Sequence, residues 1–178
     1  HMILSGLSQQ ASKLDREKMQ TQLQSVTAIL ETAQRDLRIL LLHLRPIELE
    51  QKSLVEGIQL LLKELEEKSE LKVSYKYQVT ALPKKIEEHI FRIVQELISN
   101  TLRHAQASCL DVYLYQTETG LQLKVVDNGR GFQLDDVDEL SYGLRNVKER
   151  VEDMAGTVQL MTAPKQGLAV DIRIPLLE

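Results

Sequence analysis

The sequence predicts an α+β fold, a two-layer α/β sandwich, preceded by a helical hairpin. Three observations carry this. Beyond about residue 47 helical and strand periodicities alternate, and two of the strand segments are close enough to pair as a hairpin. Before that point apolar residues keep to helical spacing on either side of a charged break, and Arg45-Pro46 ends the second run, because proline cannot continue a helix and disfavours helix in the residue before it. Composition agrees: 178 residues with 43% hydrophobic and 27% charged residues suit one globular domain plus an appendage.

Composition also excludes several classes. A net charge of −4 with a pI near 5.7 does not favour a nucleic-acid or anionic-membrane surface. No run reaches the roughly 20 apolar residues that a membrane span needs, and no signal peptide is visible. The single cysteine, Cys109, cannot form an internal disulfide and sits among strand formers, so it reads as a small buried residue in a reducing, cytoplasmic setting. His1-Met2 has the look of a cloning remnant, so the chain is expected to start inside a longer protein.

Leu4, Leu7, Ala11 and Leu14 mark a first helix, and the charged stretch from Asp15 to Lys18 offers the break, with Asp15 as a candidate N-cap. Leu23, Val26, Leu30, Ala33, Leu37, Leu40 and Leu44 then step by three and four, a heptad seam. Such a seam needs an apolar partner. One short preceding helix does not supply it, so a second copy of the chain is expected, giving a homodimer through a four-helix bundle; the alternative is a long helix lying on its own domain. The expected domains are residues 3–46, a partial dimerisation hairpin, and 47–178.

Ser53 and Glu56 form a capping box that opens a helix carrying Leu54, Ile58, Leu61, Leu62 and Leu65 inward. Leu71 to Val79 alternate as a strand with one wet face. Pro83 starts a helix with Ile86, Ile90, Ile93, Leu97 and Leu102 on its apolar side. Cys109 to Tyr115 and Leu121 to Asp127 read as a hairpin turning at Thr119-Gly120. An acidic loop holding Asp135, Asp136, Asp138 and Glu139 reads as solvated and mobile. A helix from about Gly143 to Ala155 follows, with Gly156 at its C′ position, and strands over Thr157 to Met161 and Leu168 to Ile174 complete the sheet.

Chemistry concentrates in two stretches. On the helix after Pro83, the residues His89, Arg92, Glu96, Asn100, Arg103 and His104 share one face. That stripe is either the wet side of an amphipathic helix or a site. Asn100 offers an amide oxygen to a hard cation, Glu96 can orient a water, and Arg103 adds positive charge for phosphate oxygens. In Val125 to Phe132, Val-Val-Asp-Asn-Gly-Arg-Gly-Phe, two β-branched residues drive a strand into Asp127 before Asn128-Gly129 breaks it. Asp127 either caps its own backbone or awaits a ligand amine, and Gly129 and Gly131 leave room for a flat group; Asp-Asn-Gly is also an ordinary turn. Gly143 opens a helix whose N-terminus suits an anion. An amine-bearing ring, a metal and phosphates together describe a nucleoside triphosphate.

These segments, Glu96-Leu-Ile-Ser-Asn100-Thr-Leu-Arg-His104-Ala, Asp127-Asn-Gly-Arg-Gly131-Phe and Gly143-Leu-Arg-Asn-Val-Lys-Glu-Arg150, resemble in order and spacing the N, G1 and G2 boxes of the ATP-binding domain of two-component sensor histidine kinases. Gyrase, Hsp90 and MutL belong to the same GHKL superfamily. Leu-Arg-Pro at Leu44 to Pro46 and the short loop before Gly143 resemble the subfamily that pairs with NarL-type response regulators, in particular the cell-envelope stress sensors of Gram-positive bacteria of the LiaS or VraS type. The resemblance implies the Bergerat ATP-binding fold and a histidine kinase that uses ATP and Mg²⁺, in the cytoplasmic domain of a cell-membrane sensor. It implies that Asp127 bonds the adenine amine and Asn100 holds Mg²⁺. Arg103 and His104 would then lie by the phosphates, with Gly129, Gly131, Gly143 and Leu144 forming the rest of the nucleotide site and Glu96 in a supporting catalytic role.

Two departures stand out. Kinases of this kind phosphorylate a histidine followed by an acidic residue. Here His1 precedes Met2, His43 precedes Leu44, His89 precedes Ile90 and His104 precedes Ala105. The phosphoacceptor is therefore expected upstream, and this chain is expected to bind ATP without autophosphorylating. Leu168 stands where related domains carry threonine, which weakens Gly167 as a ligand contact. Competing readings are another superfamily member, such as an anti-sigma-factor serine kinase or an ATPase, and a non-catalytic dimerisation module.

Overall fold

The computed structural model describes residues 16, 18–34, 36–37, 52–133 and 142–176. The chain divides into two compact units, 1–38 and 39–178. In the first, residues 16, 18–34 and 36–37 are helical (α1). The first-helix apolar residues, Asp15, the Leu-Arg-Pro junction, the boundary at 46 and the acidic loop of Asp135 to Glu139 lie outside the described residues.

The second unit runs α2 (Leu54–Lys68), β1 (Lys72–Gln78), α3 (Lys84–Asn100), a π-helical turn (Thr101–Ala105), β2 (Cys109–Thr117), β3 (Gly120–Asp127), α4 (Tyr142–Glu152), β4 (Thr157–Thr162) and β5 (Leu168–Pro175). The predicted capping box opens α2. Glu56 N–H donates to Ser53 Oγ at 3.4 Å and Ser53 N–H returns a bond to Glu56 Oε2 at 2.9 Å. The backbone and hydroxyl bonds from Ser53 hold the Glu56 carboxyl below its ordinary range. All five predicted inward residues of α2 are buried.

The sheet order is β1-β2-β3-β5-β4. Only β1 and β2 run parallel, joined by the α3 crossover, and every other pair is antiparallel. Alternation puts Leu110, Val112 and Leu114 of β2, Leu121, Leu123 and Val125 of β3, and Val170, Ile172 and Ile174 of β5 on one face, all buried. Against them lie Ile90, Val94, Leu97 and Ile98 of α3, with α2 and α4 packed on either side through Leu62, Val147 and Val151. The result is the predicted α+β sandwich.

Some local readings need correction. In β1 the alternation puts Tyr75 and Tyr77 on the side expected to be dry, yet they are 44% and 48% exposed, because β1 is an edge strand that α2 only partly covers. Helix α4 ends at Glu152, and Ala155 rather than Gly156 takes the left-handed conformation, at φ 53°. Gly156 N–H donates to Val151 O at 2.9 Å and Ala155 N–H to Glu152 O at 2.9 Å, a Schellman arrangement with glycine one place later than expected. What requires glycine there is space, since a Cβ would fall 2.7 Å from Arg173 O. Cys109 is half-buried rather than enclosed.

Candidate functional site

The end of β3 and the end of α3 converge on one cleft of about 240 Å³. Its polar side is Asn100, His104, Asp127 and Arg130, and its apolar walls are Ala105, Phe132, Leu144 and Leu168. Among the predicted site residues, Asn100, His104, Asp127, Gly131 and Leu144 therefore line a common space. Glu96, Arg103, Gly129 and Gly143 do not line it, although the last two shape it.

Asp127 is 5% exposed, and a buried carboxylate needs donors. Its Oδ1 accepts Gly129 N–H at 2.8 Å and Leu168 N–H at 3.3 Å. The first of these closes a turn of the residue on its own backbone, so the self-capping reading holds for Oδ1. Among the described residues Oδ2 has only the Thr101 hydroxyl, at 3.4 Å. That hydroxyl has one proton and a nearer acceptor, Leu97 O at 3.1 Å. Oδ2 is thus left open to a donor from the cleft. Asn128 has a different task. Its Oδ1 accepts Ser108 N–H at 2.9 Å and Cys109 N–H at 2.8 Å, tying the end of β3 to the start of β2.

At the two glycines of this loop the close approach is made by the chain itself. A Cβ on Gly129 would lie 2.5 Å from Ala105 Cβ, and Arg130 N–H donates to Ala105 O at 2.7 Å, so the loop is bonded to the end of the π-helical turn. Gly131, at φ 57°, lies in the left-handed region and would drive a Cβ into Ala163 O. Gly143 does the same work between helices: a Cβ there would overlap Glu96 Oε1 and reach 3.0 Å from Asn100 Oδ1. The first turn of α4 is thereby laid directly on the Glu96–Asn100 segment of α3.

The helical stripe is only partly wet. His89, Arg92, Glu96 and Asn100 are half-buried, while Arg103 and His104 are exposed. The change coincides with the switch from α- to π-helix at Thr101, where the wider turn shifts the following residues off the α-helical face. Arg103 and Arg130 then put positive charge beside His104. Burial first, then the charges of Arg103 and Arg130, lower the His104 imidazole below its ordinary range, which favours its neutral form.

Asn100 Nδ2 is buried and has no hydrogen-bond partner among the described residues. An amide can be placed either way round, so Asn100 can turn an oxygen to the same point. No group of three His, Cys, Asp or Glu able to hold a metal occurs among the described residues. A cation here would take one protein oxygen and otherwise phosphate and water, the habit of Mg²⁺ with nucleotides, so the residues fit that ion. Sequence reasoning missed Ala105, Arg130, Phe132 and Leu168 as lining residues. Arg130 was visible as a cation inside the glycine stretch; the others carry no polar signal.

The fold and cleft define a nucleotide-binding class. Residues 85–178 match the family described as histidine kinase-, DNA gyrase B-, and HSP90-like ATPase, and the chain belongs to it. Within that family it is VraS- and LiaS-like. It is 41% identical over 175 residues to the sensor protein VraS of Staphylococcus epidermidis (strain ATCC 12228 / FDA PCI 1200), covering 98% of this chain and 49% of that protein. To the sensor histidine kinase LiaS of Bacillus subtilis (strain 168) it is 42% identical over 144 residues, covering 81% and 40%. The chain thus spans about half the length, or less, of the curated relatives it matches. Among solved structures, the histidine kinase domain from the Erythrobacter litoralis EL346 blue-light activated histidine kinase aligns with a TM-score of 0.58 at 24% identity over 70% of this chain and 61% of that one, a likeness of fold.

Proposed function

We propose that the chain is the catalytic region of a sensor histidine kinase, with residues 47–178 binding Mg-ATP and residues 3–46 forming part of a hairpin through which two copies pair. The carrying observation is the open Asp127 Oδ2 at the floor of a cleft that also holds the unpartnered amide of Asn100. Asp127 would take the base amine, Asn100 the cation, and His104, Arg103 and Arg130 the phosphates, helped by the α4 N-terminus at Gly143. Glu96, beside Asn100 under Gly143, would orient a neighbouring polar group. Binding in this site aligns and neutralises the triphosphate, which is most of what phosphoryl transfer requires. Calorimetric titration with ADP tests the reading: binding is expected, and Asp127→Asn should weaken it by about a hundredfold, the loss of a charge-assisted bond plus an unpaired buried group. Absent binding, or indifference to that substitution, sinks the proposal.

The phosphoryl group would go to a histidine followed by an acidic residue, which this sequence lacks, and from there to a response regulator of the NarL type. The likeness to named sensor proteins supports the relay, and the protein would be held at the membrane by segments outside this sequence. No helix among the described residues is long and apolar enough to cross a membrane. Incubated with labelled ATP and Mg²⁺, the chain is expected to stay free of acid-labile phosphate; stable labelling of the protein would contradict this.

A further inference from the structure

The two oxygens of Asp127 are unequally engaged. Oδ1 accepts two backbone N–H groups, from Gly129 and Leu168, which fills its lone-pair directions. Oδ2 touches the Thr101 hydroxyl, whose proton is shared with Leu97 O. Thr101 is itself 5% exposed and does not line the cleft, so it reaches a ligand only through Asp127.

The state of that carboxylate decides which base it can read. A carboxylate free to turn presents two acceptors side by side, which suits guanine, whose ring N–H and amine are adjacent donors. Adenine offers one amine beside an unprotonated ring nitrogen, and a second carboxylate oxygen would face that nitrogen lone pair to lone pair. We propose that Thr101 is a positioning residue for base selectivity: by holding Oδ2 opposite the backbone-bound Oδ1, it fixes the carboxylate plane so that one acceptor faces the cleft, favouring adenine over guanine. Oδ2 has a second lone-pair direction, so it can accept an amine from the cleft while keeping the hydroxyl contact.

The inference rests on the nucleotide reading above, and the test separates the two. ADP and GDP are titrated into the chain and into Thr101→Val, which keeps the shape and removes the hydroxyl, with Thr101→Ser as the conservative control and Thr101→Ala where the valine variant does not fold. The unaltered chain should prefer ADP. The hydroxyl-free variant should lose about tenfold in the ratio of GDP to ADP dissociation constants, the order of one hydrogen bond to a charged group, and serine should restore it. A merely structural role would weaken both nucleotides alike, and an unchanged ratio overturns the proposal while leaving nucleotide binding intact. Failure of the unaltered chain to bind ADP overturns both.

Discussion

We predict that His104 couples nucleotide binding to pH. Its imidazole keeps much of its surface in water, yet partial burial and then the charges of Arg103 and Arg130 hold it below its ordinary value of about 6.5. For a histidine lowered in the folded state, the unfolded chain takes the proton more readily. Its neutral form therefore costs folding nothing at pH 7 and above, and stability is lost as pH falls below the unfolded value. A bound anion reverses the balance, because phosphate beside the ring favours the imidazolium. We predict that ADP binding near pH 6.5 takes up more protons in the unaltered chain than in His104→Gln, read by calorimetry in two buffers of different ionisation heat. Equal proton counts would remove His104 from the phosphate site. At this scale the sequence exposed the charged and glycine positions, since Asp127 at a strand end and Asn100 inside a helix conflict with local preference. It could not expose Phe132, Leu144 and Leu168 as a group, because an apolar residue lining a cleft looks like any core residue; only Leu144 was singled out, through its motif.

The elements show where periodicity stops being enough. The start and the inward face of helix α2 were readable because its cap and its apolar stripe agree. On α3 the same method drew a single polar face through Arg103 and His104, and that extrapolation assumed 3.6 residues per turn to the end. The π-helical turn changes the count at Thr101, and the loop after β3 bonds to its last carbonyl, Ala105 O. That hydrogen bond lies between residues 25 apart in sequence, so no local pattern announces it. Gly143 follows the same logic. Its motif position was readable, but its physical reason is the approach of α4 to Glu96 and Asn100, which only packing reveals. The parallel β1–β2 pair went unread, because alternation does not give strand direction; the strand–helix–strand order of β1, α3 and β2 does.

The whole molecule leaves an apolar surface to be explained. In the first compact unit Leu23, Val26, Leu30 and Leu37 are 62%, 53%, 57% and 59% exposed, although they form one seam at helical spacing. Hiding such side chains is worth roughly 1.5–3 kcal/mol each, so a helix that leaves four of them in water gains from pairing with its like. Charge does not oppose this, because a net −4 is modest for 178 residues. The cleft residues all belong to the second unit, which has its own core, so assembly and nucleotide binding should be separable. Sedimentation equilibrium at rising concentration is expected to give the mass of a dimer. The triple variant Leu23→Ser, Val26→Ser, Leu30→Ser should sediment as a monomer while binding ADP with unchanged affinity. A chain that stays monomeric throughout would show that the seam finds its partner elsewhere, and a variant that loses ADP binding along with the dimer would show that the site depends on the paired state.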